Sequence, residues 1–244
     1  MPPIAAGVGV QLHYFSAGEG QSLLAIHDIG GSGELLTAEL EPLAQRTRLI
    51  GYDRRGYGAS EAPDPYQATT VAEQSEDAAA LLLGLGASPA LLVGVGFGAL
   101  IALDLSLRRP ELVRAALLVD PPAYSLDVES TRELADQRGA IEAALLAGSR
   151  AQAIGALLGS DADQALLANA EANSGACFAD YGGLASLPLT HREMRDCAIP
   201  IRILSTPAAS APLARIAAEL DALLGDSSLL TGDELAGAAE ALLD

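Results

Sequence analysis

Short apolar runs recur along this chain with helix-patterned stretches between them, and no other feature restricts the possible fold as much. Residues 23–26 (Leu-Leu-Ala-Ile), 48–52, 90–93 and 115–119 each read as a buried strand. Residues 34–45, 70–85 and 98–108 lie between and beside them and carry apolar positions at helical spacing. A strand that is apolar at every position needs cover on both faces. The alternation therefore predicts an α/β fold, a mainly parallel sheet with helices on either side. Glu73, Glu76 and Asp77 sit in the first turns of the 70–85 helix, where acids suit the helix dipole. Pro110 stops the helix over 98–108. Residues 201–204 and 228–230 are later, weaker strands, and residues 8–15 suit an antiparallel N-terminal edge.

From Pro122 to about Leu189 the pattern becomes helix after helix, joined by polar loops such as Gly159-Ser160-Asp161. That stretch lacks room for a second large core. We expect residues 1–122 and 190–244 to form the core, residues 123–189 to form a helical cap inserted over the sheet, and the whole to be one compact unit. With 4% aromatic residues and no Trp, the core must be built from Ala, Leu, Val and Ile. There is no repeat of fixed period.

Composition also narrows the function classes. The net charge of −18 gives a surface that repels nucleic acid and anionic membranes, since binding either requires cations. No apolar run approaches the roughly 18 residues of a membrane span. Met1-Pro2-Pro3-Ile4 has no basic segment ahead of an apolar one, so no secretory signal is read and a cytoplasmic protein is expected. Cys177 and Cys197 do not make a disulfide framework, and Cys177 reads as a small buried apolar residue. His13, His27 and His191 are far apart, and no Cys/His cluster has metal-ligand spacing. No metal or cofactor is expected. The expected partner is a small molecule, and oligomeric state is left open.

Three segments carry a family pattern. The first is Leu24-Ala25-Ile26-His27-Asp28-Ile29-Gly30-Gly31, a strand running into a His-containing glycine loop. The second is Asp53-Arg54-Arg55-Gly56-Tyr57-Gly58-Ala59-Ser60. The third is Leu92-Val93-Gly94-Val95-Gly96-Phe97-Gly98-Ala99-Leu100, followed by Arg109-Pro110 and Leu117-Leu118-Val119-Asp120-Pro121. In order and spacing these resemble the α/β-hydrolase fold family, densely over residues 10–123 and faintly from Ile199 onward. The resemblance implies a nucleophile elbow at Gly94 to Gly98, a strained strand-to-helix turn that small flanking residues permit. It also implies an oxyanion hole made by the backbone N–H groups of Ile29 and Phe97. The glycine turn lacks the Lys and Ser/Thr of a phosphate-binding loop and is not G-x-G-x-x-G.

The chain departs from the family pattern at each position that does chemistry. Where the family carries serine in G-x-S-x-G, this chain has Gly96, which adopts the turn easily but has no atom to attack a carbonyl. After residues 201–204, where the family's acid usually stands, comes Ser205-Thr206-Pro207-Ala208-Ala209-Ser210, with no carboxylate. The last loop holds Thr231-Gly232-Asp233-Glu234, and no histidine occurs beyond His191. Thr231 and Glu234 have the T-x-x-E spacing of a capping box for a last helix. Asp28 replaces a glycine beside the implied oxyanion hole, where a carboxylate opposes an oxyanion unless it is protonated or turned away.

His27, Asp28 and Asp120 end strands at the carboxyl rim, where open α/β sheets bind ligands, and are the candidate acids and bases. In the family, His27 more often binds the backbone of its own loop. Asp53 and Arg54 or Arg55 are expected to brace theirs. Gly30, Tyr124 and His191 are the candidate pocket residues. Three functions compete. One is a protein without the Ser-His-acid triad that binds a small, largely apolar molecule between cap and core. Another is an enzyme using the same pocket without a covalent serine intermediate: a lyase, cyclase, isomerase or atypical hydrolase. The third is a non-catalytic interaction protein whose pocket has filled in. An open cavity at Gly96 favours the first two, a packed one the third, and a histidine with a carboxylate converging on it the second.

Overall fold

The computed structural model describes residues 3–159 and 162–243, so Ser160 and Asp161 of the anticipated polar loop, and Met1 and Pro2 of the N-terminus, lie outside the described residues. The strands are β1 (Ile4–Ala6), β2 (Gln11–Ala17), β3 (Gln21–Ile26), β4 (Thr47–Tyr52), β5 (Ala90–Val95), β6 (Val113–Val119), β7 (Ile201–Ser205) and β8 (Ser227–Thr231). They form one sheet in the order β1-β2-β4-β3-β5-β6-β7-β8. The pairs β1–β2 and β2–β4 are antiparallel and all later pairs parallel, in keeping with the fold class read from the alternation.

The sheet shows why its central strands carry apolar residues on both faces. Leu24 and Ile26 of β3 face one hydrophobic cluster, while Leu23 and Ala25 face another. Helices α2 (Val71–Gly84), α3 (Phe97–Arg108) and α9 (Ala211–Leu223) cover the first face. Helices α1 (Gly33–Glu39) and α10 (Leu235–Glu240) cover the second. Between β6 and β7 the described residues contribute only helices: α4 (Val128–Leu146), α5 (Arg150–Leu158), α6 (Gln164–Ala172), α7 (Ser174–Gly183), α8 (His191–Arg195) and two short 3-10 turns. Ile141, Ile154, Ala170 and Cys177 from these helices belong to the same buried cluster as the first sheet face.

Two local expectations are corrected. The helix expected over residues 34–45 breaks at Leu40 into α1 and a 3-10 turn, Glu41–Gln45. Pro42 is the cause: it has no N–H to continue the ladder but fits a first turn. The capping box at Thr231 and Glu234 does not form. Thr231 is spent in β8, paired with Ser205, and Glu234 itself occupies the N-cap position of α10 without a side-chain bond. The same four-residue signature does form at α8, where Thr190 Oγ1 accepts from the Glu193 N–H and the Glu193 carboxylate accepts from the Thr190 N–H.

Candidate functional site

The site is assembled where β3, β5 and β6 end side by side. Between β5 and α3 stands Gly96 with φ 53° and ψ −118°, a conformation that residues with a Cβ strongly avoid. It is fixed by its N–H donating to the Val119 carbonyl of β6 and by its carbonyl accepting from the Ala99 N–H of α3, both at 2.9 Å. Gly98 is required for a different reason: a Cβ there would collide with the backbone carbonyls that end β3. The turn is thus pressed against the loop carrying His27 and Asp28.

That loop turns the Asp28 carboxylate inward. Asp28 Oδ1 accepts hydrogen bonds from the backbone N–H of Ile29 and of Phe97, each at 2.7 Å. The Phe97 N–H opens α3, so the carboxylate also meets the positive end of that helix. A Cβ added to Gly96 would fall within the Asp28 carboxylate. The acid therefore occupies the space that a side chain on the elbow would need. Asp28 is not turned away, which corrects one of the two ways in which the amides were expected to stay free. Short bonds to a charged acceptor contribute about 1.5–3 kcal/mol each, so a substrate oxygen has to displace two of them to reach those amides. Burial pushes the Asp28 carboxyl above the usual carboxylate range, against the pull of the two amides and of Arg54. Oδ2 accepts no hydrogen bond among the described residues and is not sealed from solvent.

His27 is buried, and both ring nitrogens are taken. Nδ1 donates to the Asp28 carbonyl at 2.8 Å, and Nε2 accepts from the Arg54 N–H at 3.1 Å. The second bond requires a neutral ring. Burial, and after it the charge of Arg54, holds the His27 pKa well below its ordinary value. His27 is thereby corrected as a candidate acid or base: it fastens its loop to the start of the next one. Asp120 is the one non-glycine residue in the left-handed region among the described residues, at φ 44°. Its Oδ1 accepts from the Thr206 N–H at 3.0 Å and its Oδ2 from the Thr206 hydroxyl at 2.6 Å. The acid at the end of β6 is thus fastened to the loop after β7.

Two cavities, each about 490 Å3, open on either side of this junction and share Asp28, Ile29, Val95, Asp120 and Leu166. One extends past His27 and Leu36 to Asp233 and Leu235. The other is lined by Gly96, Tyr124, Gln137, Leu157, Tyr181 and Leu213. Tyr124 contributes a hydroxyl with no hydrogen-bond partner among the described residues. Burial, and next the charge of Asp28, pushes its pKa up to about 12, so it stays protonated. Of the other anticipated pocket residues, neither Gly30 nor His191 lines either cavity. Gly30 is buried against Ala170 and Leu158 at φ 77°, and its carbonyl accepts from Asn169. His191 is the exposed first residue of α8.

Behind His27 lies a buried polar cluster. Arg54, fully buried, donates to the His27 carbonyl at 3.0 Å, to Gln74 at 2.7 Å and to Asp180 of α7 at 2.7 Å. Asp180 also accepts from the Tyr57 hydroxyl at 2.7 Å and from Gln74 at 2.6 Å. Burial opposes the charge on Arg54, but Asp180, Tyr57 and Tyr52 together outweigh it and the pKa of Arg54 rises. Arg55 pairs with Asp77 and Glu73. Asp53 receives the Gly33 and Ala59 N–H groups at 3.2 Å each. Sequence reasoning missed Asp180, Gln74 and Thr206. A signal existed for Asp180, which shares a helical face with Ala176 and Cys177, an apolar setting in which an acid needs a partner.

Comparison with known proteins agrees with this fold. A family model for the alpha/beta hydrolase fold matches residues 21–162. The uncharacterized hydrolase YraK of Bacillus subtilis is 33% identical over 113 residues, which are 46% of this chain and 42% of YraK. Epoxide hydrolase 3 of Mus musculus is 30% identical over 128 residues, 52% of this chain and 35% of that protein. The chain thus spans less than half the length of these curated relatives. The crystal structure of an alpha/beta hydrolase from Sphaerobacter thermophilus superposes with a TM-score of 0.76 at 18% identity, covering 99% of this chain and 100% of the other.

Proposed function

The chain belongs to the α/β-hydrolase fold family, and from that premise we propose that it binds a small, uncharged, largely apolar molecule at the Gly96 junction and does not perform serine-type acyl transfer. One observation carries the reading: Asp28 Oδ1 accepts both amides that the family resemblance assigns to an oxyanion, beside an elbow residue with no side chain. Covalent serine catalysis needs a nucleophile, a base within hydrogen-bond reach and free donors for the developing oxyanion. Gly96 supplies no nucleophile, His27 has no free nitrogen, and the amides are occupied. The two cavities favour a binding role over an interaction protein with a filled pocket. The net charge of −18 disfavours anionic ligands, nucleic acid and anionic membranes as partners. A cytoplasmic setting belongs to the same proposal, supported by the free thiols of Cys177 and Cys197.

The test pairs two measurements. A fluorophosphonate probe should leave no adduct on the protein by mass spectrometry. Saturation-transfer NMR with 2-tetralone, a compact apolar ketone, should show binding that Ala209→Trp removes by filling the cavity from its rim. A stable phosphonyl adduct, or no binding of the ketone to the parent protein, would overturn the proposal.

A further inference from the structure

We propose that Asp28 Oδ2 is a general base, facing the Tyr124 hydroxyl across one cavity, and that the pair moves a proton on the carbon next to the carbonyl of a small apolar ketone or aldehyde. The proposal rests on the binding reading above.

Four observations support it. Asp28 is divided in use: Oδ1 is held by two amides at 2.7 Å, while Oδ2 has no partner among the described residues. The two amides orient the carboxylate without saturating it, so the free edge is fixed toward the space beside Gly96. The carboxylate can sit there because residue 96 is glycine, since any Cβ at that position would fall within it. Tyr124 lines the same cavity as Asp28, its hydroxyl has no hydrogen-bond partner among the described residues, and its ionisation responds to the Asp28 charge, so one molecule bound in that cavity can meet both residues.

The chemistry follows from these positions. A carboxylate lifted above its usual range by burial is a stronger base than one in water, and an apolar site suits an uncharged carbon acid. Oδ2 takes the proton from the carbon beside the carbonyl. The electron pair of that C–H bond becomes the C=C of an enolate, and the carbonyl π pair moves to oxygen. The Tyr124 O–H donates a hydrogen bond to that oxygen. The proton returns from Oδ2 to the same carbon, or to a conjugated one, so no oxidant, metal or covalent intermediate is involved. His27 takes no part, since both its nitrogens are engaged.

The test uses 2-tetralone, whose C1 protons lie between the ring and the carbonyl, with the full chain in deuterated buffer. Exchange of C1 protons is followed by NMR. The parent should exchange them faster than buffer alone. Its rate should fall as pH drops through an apparent pKa above the ordinary carboxylate value. Asp28→Asn, which retains an oxygen for the two amides, should lower the protein-catalysed rate about 100-fold or more. Tyr124→Phe should lower it by less, about tenfold, since it removes a donor and leaves the base. Both variants should still bind 2-tetralone by saturation transfer. Binding with exchange at the buffer rate would overturn the base while leaving the binding proposal intact; loss of parental binding would overturn the binding proposal itself. An Asp28→Asn variant that melts with the parent and exchanges at the parental rate would also overturn the base. Should that variant not fold, the parent's pH profile decides: a rate independent of pH from 4 to 8 would sink the proposal.

Discussion

Asp180 and Asp28 are both carboxylates withdrawn from bulk solvent a short distance apart in the chain's interior, and they are treated in opposite ways. Asp180 is saturated: Arg54 and Tyr57 bind one oxygen and Gln74 the other, inside a cluster buried from solvent. Asp28 has one oxygen held by amides and the other left open to a cavity. The first arrangement fastens α7 to the loop after β4, because a buried charge is tolerated only when paired and hydrogen-bonded. The second keeps part of a charge unsatisfied, and that is the condition for acting on a ligand. The difference teaches that burial alone does not mark a functional acid; the count of unmet acceptor positions does.

The comparison can be broken most forcefully at Asp180. Asp180→Ala leaves the fully buried Arg54 without its counter-charge, and a loss of about 3–5 kcal/mol is expected in urea unfolding. A loss below about 1 kcal/mol would mean that the cluster is wet and that Asp180 does not fasten α7.

A smaller effect is expected at the elbow. Gly96→Ser adds a side chain at φ 53° and drives it into Asp28, so strain and displaced amide bonds together should cost about 3 kcal/mol. Pairing it with Asp28→Gly removes the collision, and the double variant should be more stable than the sum of the two single losses. Strict additivity would show that the carboxylate does not occupy the elbow. Esterase activity should stay near background in both, since no histidine stands within reach of the new hydroxyl and Asp28 is displaced in one variant and removed in the other.

The smallest effect is a slope with pH. His27 has its pKa held below the ordinary 6.5 in the fold, so the unfolded chain binds a proton that the native chain refuses. Its contribution to stability is therefore present above about pH 6.5 and lost as pH falls. The limiting slope of that loss is about 1.4 kcal/mol per pH unit as pH falls below 6.5. The stability of His27→Asn should fall less over that window. Equal slopes would place a solvated, titrating imidazole at position 27.

The apolar runs placed the parallel strands to within a residue or two because those of β3, β5 and β6 are buried at every position, and burial on both faces is a local, legible demand. The glycine spacing similarly revealed the turn at Gly96, since small residues there answer a backbone requirement. What could not be read was direction. Nothing in Asp28-Ile29 states whether the carboxylate points in or out; that depends on the vacancy at Gly96, 68 residues away in sequence. Thr206, which takes both oxygens of Asp120, was hidden for the same reason: the pair forms only when β6 and β7 lie side by side. The false capping box at Thr231 shows the converse, a correct local signature overruled by strand pairing.

The occupation of two amides by one carboxylate oxygen is the claim on which the function rests, and amide NMR reads it directly. In a pH titration of labelled protein, the Ile29 and Phe97 N–H resonances should move together, with one shared apparent pKa above the ordinary carboxylate value, and Asp28→Asn should abolish the movement in both. Resonances that ignore pH in the parent, or that titrate separately, would show that Asp28 does not hold these amides and that they are open to a substrate oxygen.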